Sequence, residues 1–143
     1  MFFVIGIGDN ETRKAVLEMY PLDYGCAIHP SAVIGLQVEI GKGTVIMAGC
    51  AINPRTVIGK HCILNTMSSI DHDNQIGDYV HISPGASLGG AVTIGNGTHV
   101  GIGANVRNNV CICDEVVIGA GATVVRNLVR PDTYVGVPAR VCT

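Results

Sequence analysis

Aliphatic residues recur along this chain with a period of six. Stepping from Ile28, the positions read Ile28, Ile34, Ile40, Ile46, Ile52, Ile58, Leu64, Ile70, Ile76, Ile82, Leu88, Ile94, Val100, Val106, Ile112, Ile118 and Val124, seventeen in succession without a polar residue. Four positions after each stands a small or short-branched residue, from Ala32 and Val38 to Val116 and Ala122, and only Asn74 and Leu128 depart from that rule. Six residues are too few for a helix and a turn but enough for a short strand and a corner. The pattern therefore predicts a chain that coils, each strand pairing with the strand one coil away. Gly41, Gly59, Gly77 and Gly95 fall in a column at a spacing of eighteen, so three hexapeptides make one coil of triangular cross-section. At a strand spacing of about 4.8 Å, the five to six coils form a prism roughly 27 Å long. The residue after the aliphatic one is Gly in eight repeats and Asn or Asp in three more. That predicts corners in or near the left-handed backbone region at this position.

Ahead of the ladder, Phe2 to Gly8 reads as a strand, Asp9-Asn10 as a cap, and Glu11 to Tyr20 as a helix with Ala15, Val16 and Met19 on its apolar side. Gly6-x-Gly8 lacks the third glycine and the following strand of a dinucleotide fingerprint. The expected organisation is a βα piece over residues 1–26 and an all-β solenoid over residues 27–143.

Composition agrees with a narrow interior. Hydrophobic residues make up 48% of the chain, yet Trp is absent, there are only two Phe and four Tyr, and Gly reaches 19. Such a core admits Ile, Leu, Val and smaller side chains rather than large rings. A net charge of −2 with scattered Lys and Arg offers no basic face, which argues against nucleic acid or an anionic membrane as partner. The six cysteines have no zinc-type spacing and read as reduced thiols in the cytoplasm. The apolar start lacks the basic region of a signal peptide, and no stretch has the roughly 18 apolar residues of a membrane span.

Candidate chemistry concentrates in residues 65–90. His72 stands between Asp71 and Asp73, at a corner and outside the aliphatic interior. A carboxylate on one imidazole nitrogen fixes the tautomer and leaves the other nitrogen to accept a proton, the equipment of a general base. A solvated turn would use the same residues, and the spacing alone does not choose between them.

The repeat resembles the hexapeptide-repeat acyltransferases, whose triangular parallel β-helix is left-handed, an exception to the usual crossover rule. Within that fold, residues from about Ile28 to Arg140 are similar to the sialic acid O-acetyltransferase and bacillosamine-type N-acetyltransferase group of surface-glycan biosynthesis. The shared segments are Ile63-Leu64-Asn65-Thr66, Asp71-His72-Asp73, His81-Ile82-Ser83-Pro84-Gly85 and Gly136-Val137-Pro138-Ala139. The resemblance implies an acetyl-CoA-dependent transferase acting on an amino or hydroxyl group of a nucleotide-activated sugar or sialic acid, with no metal. It makes His72 the general base and Asp73 its polarising acid, and it places Asn65 near that histidine. It assigns His81 to acetyl-CoA contact, Gly90 to close approach of the thioester and an amide for the developing oxyanion, and Ile102 and Ala120 to the pantetheine groove. It further implies a homotrimer with active sites between subunits, and it makes the βα piece the end of an N-terminal Rossmann-like domain.

Three other readings bear on the same residues. A metal-dependent carbonic anhydrase of this fold needs three histidine ligands, two of them close in sequence; His29, His61, His72, His81 and His99 contain no such pair. An acetyltransferase with a non-sugar acceptor often interrupts the ladder with a loop, and none intervenes between Ile28 and Val124. A non-catalytic trimeric scaffold, or a domain remnant, requires only the solenoid.

Overall fold

A computed structural model describes residues 1–142. Each hexapeptide forms a two-residue strand whose second member is the ladder residue, beginning with Ala27–Ile28 and ending with Thr123–Val124. Strands pair in parallel with the strand eighteen residues on, for instance Ala27 with Val45 and His81 with His99. Three sheets of eight, six and five strands result, which are the three faces of the triangular left-handed β-helix.

The pattern works because a two-residue strand sends one side chain in and one out. Ile52, Ile70, Ile82, Ile94 and Ile118 are at most 1% exposed, and the small position four residues later is buried as well, as at Cys50, Val80, Ala86 and Val92. Polar residues are tolerated at that second position because a backbone carbonyl lies within reach. Thr44 Oγ1 donates to the Gly59 carbonyl at 2.9 Å, and Thr56 Oγ1 to that of Asp71 at 3.0 Å. Asn74 is accommodated in the same way, its amide donating to Asp71 O at 2.6 Å and Gly89 O at 3.0 Å.

The corners differ from expectation. Positive φ falls three residues after the ladder residue, not one. It recurs at Gln37, Gly43, Gly49, Arg55, His61, Met67, Asp73, Tyr79, Gly85, Ala91, Gly97, Gly103, Asn109, Glu115 and Gly121. Nine of those fifteen are not glycine, so the corner geometry is imposed by the coil pairing and not by local preference. The glycines directly after the ladder residue serve close approach instead. A Cβ on Gly59 would lie 2.6 Å from the Gly77 backbone, and one on Gly77 would lie 2.6 Å from Asn96 Oδ1.

The N-terminal piece also departs from its sequence reading. Phe2 to Gly8 is not a strand; only Phe3 forms a bridge, with Tyr24, because no longer partner runs beside it. Helix α1 spans Asn10–Met19, capped by Asp9, which accepts from the Thr12 N–H at 2.8 Å. Its docking residue is Arg13, 1% exposed, whereas Ala15 and Met19 face outward. No helix among the described residues is long and apolar enough to cross a membrane.

Candidate active site

Coil register builds the His72 corner. Arg55 and Asp73 stand eighteen residues apart at the same left-handed position, with φ of 62° and 59°. Stacked in this way they form a two-pronged pair, Arg55 Nε to Asp73 Oδ1 at 2.7 Å and Nη2 to Oδ2 at 2.8 Å. Asp73 Oδ2 also accepts from His72 Nδ1 at 2.6 Å. These hydrogen bonds, from Arg55 first and then His72, hold the Asp73 carboxyl well below the usual carboxylate range. An ionised carboxylate only accepts, so Nδ1 carries the imidazole proton and Nε2 keeps its lone pair. The preceding residue is fixed too, since Asp71 Oδ1 accepts from Asn53 Nδ2 at 2.7 Å and from the His72 N–H at 2.8 Å.

Gly90 lies one coil above His72. A Cβ there would fall 2.8 Å from the ring's Cε1 and Nε2, so the missing side chain is what lets the imidazole lie over this corner. Among the described residues nothing accepts from the Gly90 N–H, while its carbonyl accepts from Asn109 at 3.0 Å. The corner opens into a groove of about 460 Å³ lined by His72, Gly89, Gly90, Arg107 and Asn108.

Asn65, His81, Ile102 and Ala120 form a second group. Asn65 follows Leu64 at the corner leading from the eight-stranded sheet to the six-stranded one, whereas His72 sits at the far end of the six-stranded sheet. Within one chain Asn65 therefore does not stand beside His72, because the strand Ser69–Ile70 separates them. Its amide Nδ2 is 3.2 Å from His81 Nε2. His81 is 8% exposed, and its Nδ1 is 3.1 Å from the Gly8 carbonyl oxygen. Burial, and next the stacked His99 ring 4.8 Å away, pushes the His81 imidazole down to about 4. Ile102, 62% exposed, and Ala120 stack eighteen residues apart on the same corner as Asn65 and leave an apolar strip.

Sequence reading brought out His72, Asp73 and Gly90, which the fold unites. It missed Arg55, although stepping back eighteen from Asp73 finds it, and it missed Arg13, for which the sequence carries no signal. Among the described residues no cluster of His, Cys, Asp or Glu is gathered to hold a metal ion.

Known proteins supply the rest. No family model matches the chain. Over 51 residues, 34% of this chain and 24% of the relative, it is 45% identical to the UDP-N-acetylbacillosamine N-acetyltransferase of Bacillus subtilis (strain 168), so that match spans about a quarter of that protein. The acetyltransferase domain of PglB from Neisseria gonorrhoeae FA1090 superposes with a TM-score of 0.96 at 32% identity, over 99% of this chain and 70% of that one. PerB from Caulobacter crescentus, solved in complex with CoA and GDP-perosamine, superposes with a TM-score of 0.95 at 37% identity, over 98% of this chain and 69% of that one. With the ladder, the His72 corner and these likenesses along nearly its whole length, the chain belongs to the hexapeptide-repeat sugar N-acetyltransferases.

Proposed function

We propose that this protein transfers the acetyl group of acetyl-CoA to an amino group on a nucleotide-activated sugar. The observation that carries the reading is the chain Arg55–Asp73–His72, which leaves Nε2 free in a groove floored by Gly90. His72 Nε2 takes a proton from the acceptor amine as its nitrogen attacks the thioester carbonyl. The negative charge that collects on the carbonyl oxygen is met by the Gly90 N–H. The intermediate then collapses, the C–S bond breaks, and the departing CoA thiolate takes the proton from the His72 imidazolium. Each turnover yields the amide and CoA-SH, with His72 restored.

An amino acceptor is favoured because one similar protein is named a UDP-N-acetylbacillosamine N-acetyltransferase and another, PerB, was solved with GDP-perosamine. Two half-sites on opposite edges of one sheet support a homotrimer, in which the Asn65, Ile102 and Ala120 corner of one subunit meets the His72 corner of the next. Residues 1–26 then form the side of the site toward the nucleotide-sugar, and the enzyme works in the cytoplasm, where acetyl-CoA is made.

The test follows thiol released from acetyl-CoA in the presence of UDP- or GDP-linked 4-amino sugars, with sialic acid as the hydroxyl comparison. Turnover with an amino sugar and none with sialic acid is expected. Absence of both CoA binding and turnover would sink the enzymatic reading.

A further inference from the structure

His81 has both ring nitrogens engaged inside the protein. The Gly8 carbonyl oxygen, 3.1 Å from Nδ1, can only accept, so Nδ1 carries the proton. Nε2 is then an acceptor and faces Asn65 Nδ2 at 3.2 Å. The other end of that carboxamide is fixed independently, since Asn65 Oδ1 accepts the Thr66 N–H at 2.8 Å. The network thus ends at two backbone groups of fixed polarity, and each proton between them has one position.

The Gly8 carbonyl is itself clamped. Arg13, 1% exposed, donates to Gly8 O at 3.1 Å and Ile7 O at 3.0 Å from Nη1, and to His61 O at 2.8 Å from Nε. Its Nη2 donates to Tyr79 O at 2.9 Å and Asn10 Oδ1 at 2.7 Å. All five acceptors are neutral oxygens. A buried cation with no carboxylate bonded to it is costly to desolvate, and here that cost is offset by donation to five oxygens that would otherwise lack these donors. What the guanidinium supplies and an apolar residue cannot is a fixed direction for those carbonyls.

We infer that the N-terminal piece is a positioning device for the acetyl-transfer site: Arg13 holds the Gly8 carbonyl, Gly8 sets the His81 tautomer, and His81 aims the Asn65 carboxamide. The second Asn65 amide N–H has no acceptor among the described residues. It is the group delivered by this chain of contacts, a donor for an oxygen of the bound substrates. Arg13 and His81 are positioning residues, acting through Asn65 rather than touching substrate. This inference rests on the proposed acetyl transfer, and it changes the part His81 plays from cofactor contact to internal support.

The test pairs kinetics with a tautomer measurement. In His81→Asn the shorter amide reaches Gly8 but leaves nothing at Nε2, whereas in His81→Gln the amide oxygen reaches the Nε2 position. His81→Asn is expected to lower kcat about tenfold or more with the KM for acetyl-CoA unchanged, and His81→Gln to stay close to wild type. In an Asn65→Ala background, His81→Asn should add no further loss. Equal increases in the acetyl-CoA KM for both His81 variants, or losses that multiply with Asn65→Ala, would overturn the inference. Nitrogen-15 NMR of the wild-type imidazole gives an answer independent of any activity: a protonated Nδ1 is expected, and a protonated Nε2 contradicts it. Arg13→Lys keeps the charge without the fork and should mix the two tautomers; an unchanged spectrum removes Arg13 from the device.

Discussion

Two histidines of this solenoid receive opposite treatment. His72 is half exposed, its side chain at 54%, and is bonded to a carboxylate that is itself paired with an arginine. His81 is 8% exposed and meets a carbonyl, a carboxamide and another imidazole. Both have a protonated Nδ1, yet only the first keeps Nε2 open to a reactant. An imidazole anchored at one nitrogen by an anion, with the other nitrogen open, is placed to meet a reactant. One enclosed by neutral dipoles is kept neutral and serves as a rigid hydrogen-bonding spacer.

That contrast can be broken at several points. The largest effect is expected from His72→Ala, which should lower kcat/KM for acetyl transfer by about 10²–10⁴ while thermal unfolding stays near wild type, since an exposed ring is lost. Gly90→Ala comes next. Its Cβ would meet the imidazole at 2.8 Å, so the ring must turn away, and steady-state kinetics should show a loss of roughly 100-fold. Asp73→Asn removes the ionised partner and lets the ring adopt either tautomer, for an expected loss of about 10–100-fold. Arg55→Met leaves Asp73 bonded to His72 but without its guanidinium partner, and a smaller drop of a few-fold is expected in the same assay.

The buried histidine sharpens the comparison through stability. The His81 imidazole is held down at about 4, from an ordinary 6.5, by burial. A group whose folded value is depressed in this direction binds a proton more readily once unfolded. Stability is therefore complete above pH 6.5 and declines as pH falls toward 4, by no more than about 3 kcal/mol for a shift of this size. Urea unfolding across that window should show the decline in wild type and less of it in His81→Gln. An identical slope in the two proteins would mean that His81 is not the group responsible.

The period of six made the coil, the triangular section and the core residues legible, because one inward aliphatic residue per strand is a condition the fold cannot relax. The His72–Asp73 pair was legible for a local reason, the two being neighbours in sequence. The corner conformation was misread: glycine after the ladder residue looked like a left-handed position, but it marks coils packed too closely for a Cβ, as at Gly59 over Gly77. True left-handed positions carry Arg55, Tyr79 and Glu115 among others, residue types that betray nothing of their φ. Arg55 was within reach of the register but needed the eighteen-residue step. The Asn65–His81–Gly8 path was not legible, since it runs through a backbone carbonyl and depends on how residues 1–26 fold back on the solenoid.

Acetyl transfer by the proposed route depends above all on His72 acting as the base through Nε2. Chemical rescue tests this most directly: thiol release from acetyl-CoA is followed for His72→Gly with a nucleotide-linked 4-amino sugar as acceptor, with and without free imidazole in the buffer. The expected result is a nearly inactive variant whose turnover rises with imidazole concentration, while His81→Asn gains nothing from the same addition. Turnover of His72→Gly at the wild-type rate without imidazole would contradict the account.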